Sequence, residues 1–178
     1  MTVYFPEGVD AQGNETVIFV PALADPSAPT VTELTGATAV NLSCALRGFS
    51  PNSEQNSVAD IRLCSREQFE SPGRVTNSID DITYVYQPQT VGATTPDADN
   101  AAYDALAQGV TGYLIDRRGL DARETAVIAD QLVDVYPVKM GAQRRVGVDA
   151  TAEGAKFEII QKPFVTGPVL PDIKVVTA

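Results

Sequence analysis

The stretch Val17 to Leu34, VIFVPALADPSAPTVTEL, is the most informative segment of this 178-residue chain. It opens with a run of β-branched and aromatic residues, Val17 to Val20, which predicts a short strand. Three prolines follow between positions 21 and 29. Because proline fixes φ and lacks an N–H donor, they predict an extended surface crossing and not a helix or a central strand. An apolar-polar pattern then resumes at Val31 to Leu34.

Turn-forming residues recur along the chain at intervals of about 8 to 12 residues, with β-branched and aromatic runs between them. This spacing is typical of all-β sandwiches and barrels. The predicted strands are Thr16 to Val20, Ala39 to Ala45, Ala59 to Cys64, Ile82 to Tyr86, Gly112 to Arg117, Leu132 to Val138, Lys156 to Gln161 and Ile173 to Thr177. We therefore expect a mainly β fold, a sandwich or barrel, in a single domain over residues 1–178.

One flanking α-helix is predicted over about residues 96–108. Thr95 suits the N-cap, Pro96 the first helical position, and Gly109 a C-cap in the left-handed conformation. Because its apolar side chains share one face of a helical wheel, the helix should pack on a sheet. These side chains are Ala102, Tyr103 and Leu106.

Three segments are expected to extend from the core. They are an N-terminal arm over about residues 1–15, a polar loop over about residues 47–57, and a C-terminal crossing and strand over about residues 163–178. The polar loop is too long for a tight turn, and connections of this kind are usually functional or mobile. Proline stiffens the C-terminal crossing between Pro163 and Pro171, so it should deliver the last strand from a distance.

The two cysteines, Cys44 and Cys64, lie in alternating apolar-polar runs and are expected to be small core residues. A disulfide would require their strands to pair, and a cytosolic protein would normally keep them reduced. Two cysteines without a histidine make no usual structural zinc site.

Composition argues against several functional classes. A net charge of −10 is unsuited to holding nucleic acid by neutralising phosphates. The lack of histidine removes the usual general base and the commonest metal ligand. No apolar run approaches the roughly 18 residues of a membrane helix, and the N-terminus does not resemble a signal peptide. We therefore expect a protein that is not an enzyme, holds no cofactor or metal, and does not insert into membranes.

Two groups of polar and charged residues are candidates for a binding site. The polar residues around position 100 lack the third ligand and the glycine of an EF-hand, because Ala101 and Ala102 stand there, so helix capping explains them better. These polar residues are Asp97, Asp99, Asn100 and Asp104. The pairs Arg117–Arg118 and Arg144–Arg145 are expected to make ion pairs within or between subunits.

The order of short segments along the chain resembles that of the tail tube (major tail) subunits of long-tailed, non-contractile (siphovirus-type) bacteriophages. Val17 to Leu34 opens the pattern, which covers most of the chain without containing any chemical signature. It continues through Asn41 to Leu46 (NLSCAL), Asp60 to Ser65 (DIRLCS), Phe69 to Gly73 (FESPG), Tyr84 to Pro88 (YVYQP), Gly112 to Gly119 (GYLIDRRG) and Val133 to Gly141 (VDVYPVKMG).

The resemblance implies a structural virion protein whose hexameric rings stack into the hollow tail tube. Each subunit would contribute four strands to a continuous inner barrel. With strands about 4.8 Å apart and tilted about 40°, such a barrel leaves an opening of about 38 Å. Double-stranded DNA would pass through it without specific binding.

Other expectations also rest on the resemblance. The implied partners are further copies of the chain, a tape-measure protein, a tail terminator and tail-tip or baseplate proteins, with assembly in the bacterial host cytoplasm. The resemblance also favours an extended run over Asp121 to Leu132, although Asp121 and Glu124 have the spacing of a capping box.

The negative charge of the subunit would then help DNA to pass through the tube. Six subunits at −10 give a ring of about −60, whereas a basic wall would release the counterions of DNA and grip it. We expect an acidic lumen, with Asp116, Asp130, Asp134 and Glu158 as the candidate lining residues. The candidate inter-subunit residues are Phe5, Phe49, Pro51, Arg117, Arg118, Arg144 and Arg145.

Three alternatives share part of this pattern. A β-sandwich binding module, such as a capsid decoration or receptor-binding domain, has the same strand spacing and acidity. Exposed aromatic residues on loops would favour it, but only Phe49 lies in a clearly loop-like stretch. The tube of a contractile tail or secretion machine shares the ring architecture, and a small hydrolase using carboxylates is the third class.

Overall fold

A computed structural model of the protein describes residues 7–89, 100–148, 151 and 153–177. Of the described residues, 42% lie in strands and 7% in helices, which confirms the predicted mainly β class. The strands are β1 (Glu15–Val20), β2 (Val40–Asn41), β3 (Pro51–Asp60), β4 (Phe69–Ile79), β5 (Ile82–Val85), β6 (Thr111–Arg118), β7 (Leu132–Met140), β8 (Arg144–Arg145), β9 (Glu158–Gln161), β10 (Pro163–Val165) and β11 (Leu170–Lys174). The helices are α1 (Val31–Thr35) and α2 (Ala101–Ala105).

The largest sheet, sheet 1, is antiparallel in the order β10-β7-β6-β1-β2, and β11 also pairs with β7. β6 lies in its centre, with Asp116 opposite Val17 of β1 and opposite Asp134 of β7. Four consecutive residues of β6 are buried. Such nearly continuous burial is expected of a strand that is covered on both faces.

One face of sheet 1 packs against a second sheet and against α2. Sheet 2 has the order β5-β9-β8, so the two sheets form a sandwich with α2 at its side. The shared core includes Val17, Phe19, Leu114, Tyr136, Ile82, Tyr84, Ile159, Ala102 and Leu106. The apolar helix face that the sequence predicted does pack into the core through Ala102. The helix is shorter than predicted, since it ends at Ala105. Residues 96–99, its predicted first turn, lie outside the described residues.

The opposite face of sheet 1 is covered by α1 and by the segment after β11, through Leu34 and Val175. α1 begins at Val31, where the sequence shows a resumed apolar-polar pattern and no helix was predicted. Thr30 caps this helix: its Oγ1 accepts a hydrogen bond from Glu33 N at 3.2 Å, and the Glu33 carboxylate accepts one from Thr30 N at 2.9 Å. The Thr-x-x-Glu spacing of this capping box is visible in the sequence.

A long hairpin replaces the polar loop predicted over residues 47–57. From Pro51 onward these residues form β3, which pairs antiparallel with β4. The predicted strand Ala59 to Cys64 is also wrong, because β3 ends at Asp60 and residues 61–68 form the hairpin tip. Cys44 and Cys64 are exposed free thiols and not core residues.

Two other segments differ from expectation only in part. Residues 121–131 form turns at 122–124 and at 129–130, with irregular backbone between them, and lead into β7 without forming a helix. The C-terminal crossing contains a strand of its own, β10, and the last strand β11 begins at Leu170, earlier than predicted. In the part of the chain that the structure describes, neither helix has the length and apolar character that a bilayer crossing requires.

Candidate functional site

The β3–β4 hairpin extends from sheet 2. Leu46 forms an antiparallel bridge with Tyr84, and Arg47 N donates to Thr83 O at 2.8 Å. The first pair of the hairpin, Pro51 and Ile79, lies five residues after Leu46 and five residues before Tyr84. The two strands therefore keep the same pairing register from β5 into the hairpin. The base of the hairpin is therefore fixed by the core, where Tyr84 and Ile79 are fully buried.

This continuity creates a four-stranded layer. Its members, in spatial order, are residues 45–60, residues 69–85, β9 and β8. Within the described residues, the outer edge of β3 and the outer edge of β8 have no strand partner. Free edges expose backbone N–H and C=O groups that can pair with another chain, and a two-stranded ribbon is marginally stable alone.

The hairpin is polar along its strands and apolar at its tip. All but two of the residues of β3 are exposed. At the tip Leu63 is fully exposed and Ile61 is 79% exposed, and beside the tip Val58 of β3 and Phe69 of β4 are about half exposed. A cluster of apolar side chains this exposed on a projecting element is typical of a surface that another protein covers.

The face of sheet 2 that points away from the core carries paired charges. Glu158 alternates with buried Ile159 and accepts a hydrogen bond from Arg47 Nε at 2.7 Å. Arg144 Nη2 lies 2.6 Å from Asp81 Oδ2. Of the four predicted lumen residues, Glu158 is thus the one on the outward face of the four-stranded layer.

Asp116 does not face solvent, which removes it from the lumen candidates. Its side chain is fully buried in sheet 1, and Arg118 Nη2 lies 2.6 Å from its Oδ2. Neither carboxylate oxygen receives a hydrogen bond of good geometry from the described residues. Burial raises the pKa of Asp116 to about 6, while the Arg118 guanidinium acts in the opposite direction.

The other two lumen candidates lie on or beside β7. Asp134 Oδ1 accepts a hydrogen bond from Asp172 N at 2.9 Å, so this carboxylate is engaged within the subunit. Asp130 is exposed, with its Oδ1 3.6 Å from Lys174 Nζ. These two residues stay predictions for the lumen. Asp134 lies on β7 of sheet 1 and Asp130 in the turn before it, whereas Glu158 lies on sheet 2.

Two of the predicted inter-subunit residues are internal. Arg117 is buried, and its guanidinium donates to Thr16 Oγ1 at 2.9 Å and to the carbonyl oxygens of Asp121, Thr125 and Ala126 at 3.0 to 3.2 Å. It fastens the loop before β7 to sheet 1. Phe49 is also buried, in an edge-to-face contact with Tyr136 at a centroid distance of 5.7 Å.

The remaining inter-subunit candidates lie at the surface or outside the described residues. Pro51 starts β3, a position that tolerates a residue without an N–H donor. Arg144 and Arg145 form β8, the free edge of the four-stranded layer. Arg118 is half exposed and also lies 3.8 Å from Glu15, and Phe5 lies in the part that is not described.

A cleft of about 760 Å³ opens at the root of the hairpin. Val17, Leu46 and Phe49 contribute its apolar lining, and Cys44 and Asp121 lie on its wall. Among the described residues, no group of three or more Cys, Asp or Glu side chains is arranged to hold a metal ion.

Comparison with known proteins gives one family. A family model described as "Phage tail tube protein" matches residues 3–178, nearly the whole chain. No curated protein matches the chain.

Proposed function

The chain belongs to the phage tail tube protein family, and from this premise we propose that it forms hexameric rings that stack into the tube through which double-stranded DNA leaves the virion. The family gives a structural role in the virion tail and assembly into a tube with other tail proteins. The siphovirus-type tail, the hexameric ring and DNA passage are the parts that we add.

The observation that carries the proposal is the unpartnered hairpin. β3 and β4 are ten and eleven residues long and lie almost wholly in solvent. Such a ribbon leaves backbone groups unpaired along both edges, an arrangement that promotes pairing with another chain. The pairing register of the hairpin continues into the core, so the isolated subunit already holds the hairpin in a fixed direction.

The ring closes by pairing the free edge of β3 with the free edge of β8 in the next subunit. These are the two ends of the four-stranded layer, so repeating the contact around a rotation axis joins all layers into one barrel. Four strands per subunit agree with the number that the resemblance implies. Closure also leaves no sheet edge exposed around the ring.

The lumen wall is the outward face of this layer. Glu158 and Glu54 give it negative charge. Glu54 lies three positions after Pro51, whose partner Ile79 is buried, and so lies on the face opposite to Ile79. Arg47 pairs with Glu158, and Arg144 pairs with Asp81. Cations that are already paired have little capacity to displace counterions from DNA, so the duplex slides past this wall.

The proposed partners follow from the tube. A tape-measure protein, a tail terminator and tail-tip or baseplate proteins would contact its ends or interior, and assembly would take place in the bacterial host cytoplasm. The role is structural and requires no catalysis by this chain. The family match over nearly the whole chain favours this role over a capsid decoration or receptor-binding module.

Electron microscopy of two purified proteins tests the proposal. The first is the full chain over a range of concentrations, with and without tail tips of the matching phage. The second lacks residues 54–76 and joins Ser53 to Asn77, which are register partners, through a two-residue Asn-Gly turn.

The full chain should form rings or tubes with an opening of about 38 Å. The trimmed protein should fold with an unchanged melting temperature, because the removed residues lie outside the core, yet remain monomeric. A full chain that stays monomeric even with tail tips contradicts the proposed function. Tubes formed by the trimmed protein contradict the role of the hairpin.

A further inference from the structure

We propose that four side chains on one face of sheet 1, those of Glu15, Asp116, Arg118 and Asp134, form a proton-sensitive latch that fastens β11 to the sheet more tightly in acid than at neutral pH. Asp116, the buried carboxylate that the proposed lumen wall does not use, takes up the proton. The latch is a property of the single subunit and does not depend on the proposed tube.

The register of sheet 1 brings the four side chains together. Asp116 of β6 is the register partner of Asp134 of β7, and Arg118 of β6 is the register partner of Glu15 of β1. Register partners, and residues two positions apart on one strand, point to the same face of a sheet. Three neighbouring strands thus place three carboxylates around one guanidinium.

The guanidinium of Arg118 is closest to the most buried of these carboxylates. Its Nη2 lies 2.6 Å from Asp116 Oδ2, and the Asp116 side chain is fully buried. Its Nε lies 3.8 Å from Glu15 Oε1, and its Nη1 lies 4.0 Å from Asp134 Oδ2. Three negative charges and one positive charge leave a net charge of −2 when all four groups are ionised. Because Asp116 is shielded from water, the repulsion that it exerts on the other two carboxylates is weakly screened.

The groups that act on Asp116 come from β1, β6 and β7. Burial raises the pKa of Asp116 to about 6, and the Arg118 guanidinium acts in the opposite direction. The carboxylates of Glu15 and Asp134 raise this pKa further. Tyr136 of β7 lies beside the cluster, and burial raises its pKa to about 12, so its hydroxyl stays protonated at neutral and acidic pH.

Asp134 connects the cluster to β11. Its Oδ1 accepts a hydrogen bond from Asp172 N at 2.9 Å, where the register between β11 and β7 shifts between Leu170 and Ile173. Asp172 has a φ of 54°, in the left-handed region that residues with a Cβ adopt uncommonly. A hydrogen bond to an ionised acceptor is stronger than one between neutral groups, so this contact helps to hold the irregular part of β11 in place.

β11 leads into a segment that covers the outer face of sheet 1. Val175 is buried in the same apolar cluster as Leu34 of α1, and Val31 N donates to Val176 O at 2.9 Å. An opening of the chain at Asp172 therefore also weakens the attachment of the C-terminal segment and of α1.

The sign of the pH dependence follows from the charges. At neutral pH Asp116 is ionised, so it binds the guanidinium of Arg118 and repels Asp134. Below about pH 6 it takes up a proton, the repulsion ends, and the guanidinium can turn to Glu15 and Asp134. A group whose pKa is raised by folding stabilises the folded state in acid, and this stabilisation is lost as the pH rises through the raised value.

Amide hydrogen exchange of the full chain, followed by NMR at a concentration where the chain is monomeric, tests the latch. The amides of Asp172, Val175 and Val176 donate hydrogen bonds in the fastened segment, and their protection factors are compared after correction for intrinsic exchange. If opening returns Asp116 to an unfolded pKa of about 3.9, protection should be about tenfold higher at about pH 5 than at about pH 7.5.

A matched pair of substitutions assigns the effect. Asp116→Asn has no proton to lose and should give equal protection at both pH values. Asp130→Asn removes an exposed carboxylate that lies 3.6 Å from Lys174 Nζ of β11 and outside the cluster. This control should keep the tenfold change of the wild type.

Two further substitutions should move the midpoint of the transition in opposite directions. Arg118→Gln removes the group that lowers the pKa of Asp116, so the midpoint should move above pH 6. Glu15→Gln removes a carboxylate that raises this pKa, so the midpoint should move below pH 6. A merely structural role of these side chains predicts no such pair of shifts.

Equal protection at both pH values in the wild type overturns the latch, and so does a tenfold change that persists in Asp116→Asn. Midpoints that fail to move in opposite directions assign the titration to a group outside the cluster, which also overturns it. None of these results bears on tube formation, which electron microscopy tests separately.

Discussion

Tyr84 donates a hydrogen bond from its hydroxyl to Gln161 Oε1 at 2.9 Å, and this buried contact joins β5 to β9 where the free hairpin enters the core. Tyr84 is also the bridge partner of Leu46, so the same residue takes part in fixing the direction of the hairpin. The Tyr84 hydroxyl, hydrogen-bonded inside an apolar core, thus anchors the base of the β3–β4 hairpin.

The first prediction concerns Gln161. Its Nε2 donates to Leu106 O and to Gly141 O, both at 2.8 Å, and the residue is completely buried. Gln161→Leu leaves these carbonyl oxygens without their donor and the Tyr84 hydroxyl without its acceptor, although Gln143 Nε2 still donates to that hydroxyl at 3.0 Å. The substitution should lower the free energy of unfolding by about 2–4 kcal/mol. Urea denaturation measures it, with the exposed Gln108→Leu as control. Equal midpoints for the two variants would show that the buried amide is dispensable.

The second prediction concerns the loop before β7. Arg117→Leu removes the donors that hold the carbonyl oxygens of residues 121–126 and should destabilise the protein by about 3 kcal/mol. Limited proteolysis should then cut within residues 121–131 of the folded protein. The surface variant Arg123→Ala should change stability by less than about 0.5 kcal/mol. An Arg117→Leu protein as resistant to protease as wild type would contradict the assigned role.

The third prediction is a pH dependence. Burial raises the pKa of Asp116 to about 6, above its unfolded value of about 3.9, so the folded protein binds this proton more tightly. The resulting stabilisation is complete below pH about 4 and is lost as the pH rises through about 6. Asp116→Asn has no proton to lose. Its stability relative to wild type should therefore rise by about 2–3 kcal/mol between pH 4 and pH 7.

Unfolding by urea at several pH values measures this difference, with Asp104→Asn as the exposed control. The control difference should stay flat over the same range. A flat difference for Asp116→Asn would mean that its carboxylate is well compensated in the folded state at neutral pH.

The fourth prediction concerns the proposed lumen wall. Glu158→Gln together with Asp81→Asn removes the partners of Arg47, Arg144 and Lys162. Tubes of this double variant should retain DNA fragments at low salt, with binding that weakens steeply as salt increases, because unpaired cations release counterions from DNA. Wild-type tubes and tubes of Asp130→Asn, which changes sheet 1, should retain little. Equal DNA retention by all three kinds of tube would mean that the lumen is not lined by the face that carries Glu158 and Asp81.

Apolar runs made much of this fold predictable. β1, β6 and β7 are visible in the sequence because each contains a short run of β-branched, aliphatic and aromatic residues, as strands covered on both faces do. α1 was not predicted because three prolines precede it and favour an extended backbone. Its capping box of Thr30 and Glu33 is nevertheless present in the sequence.

The candidate site was harder to predict. β3 reads as a polar loop because both of its faces lie in solvent, so no apolar alternation marks it. Asp116 and Glu158 are each adjacent to an apolar strand residue, so their sequence contexts are similar. Only the packing of the two sheets decides that Asp116 is buried and that Glu158 faces outward. Which strands stand at the free edges is a property of topology, which local sequence patterns do not contain.

Electron cryo-microscopy of the assembled tube shows directly which strands line the lumen and how neighbouring subunits pair. We expect β3 of one subunit to pair with β8 of its neighbour, and the four-stranded layer to line the lumen with Glu158 facing the axis. A tube whose lumen is lined by sheet 1, or in which β3 and β8 remain unpaired between subunits, would contradict this expectation.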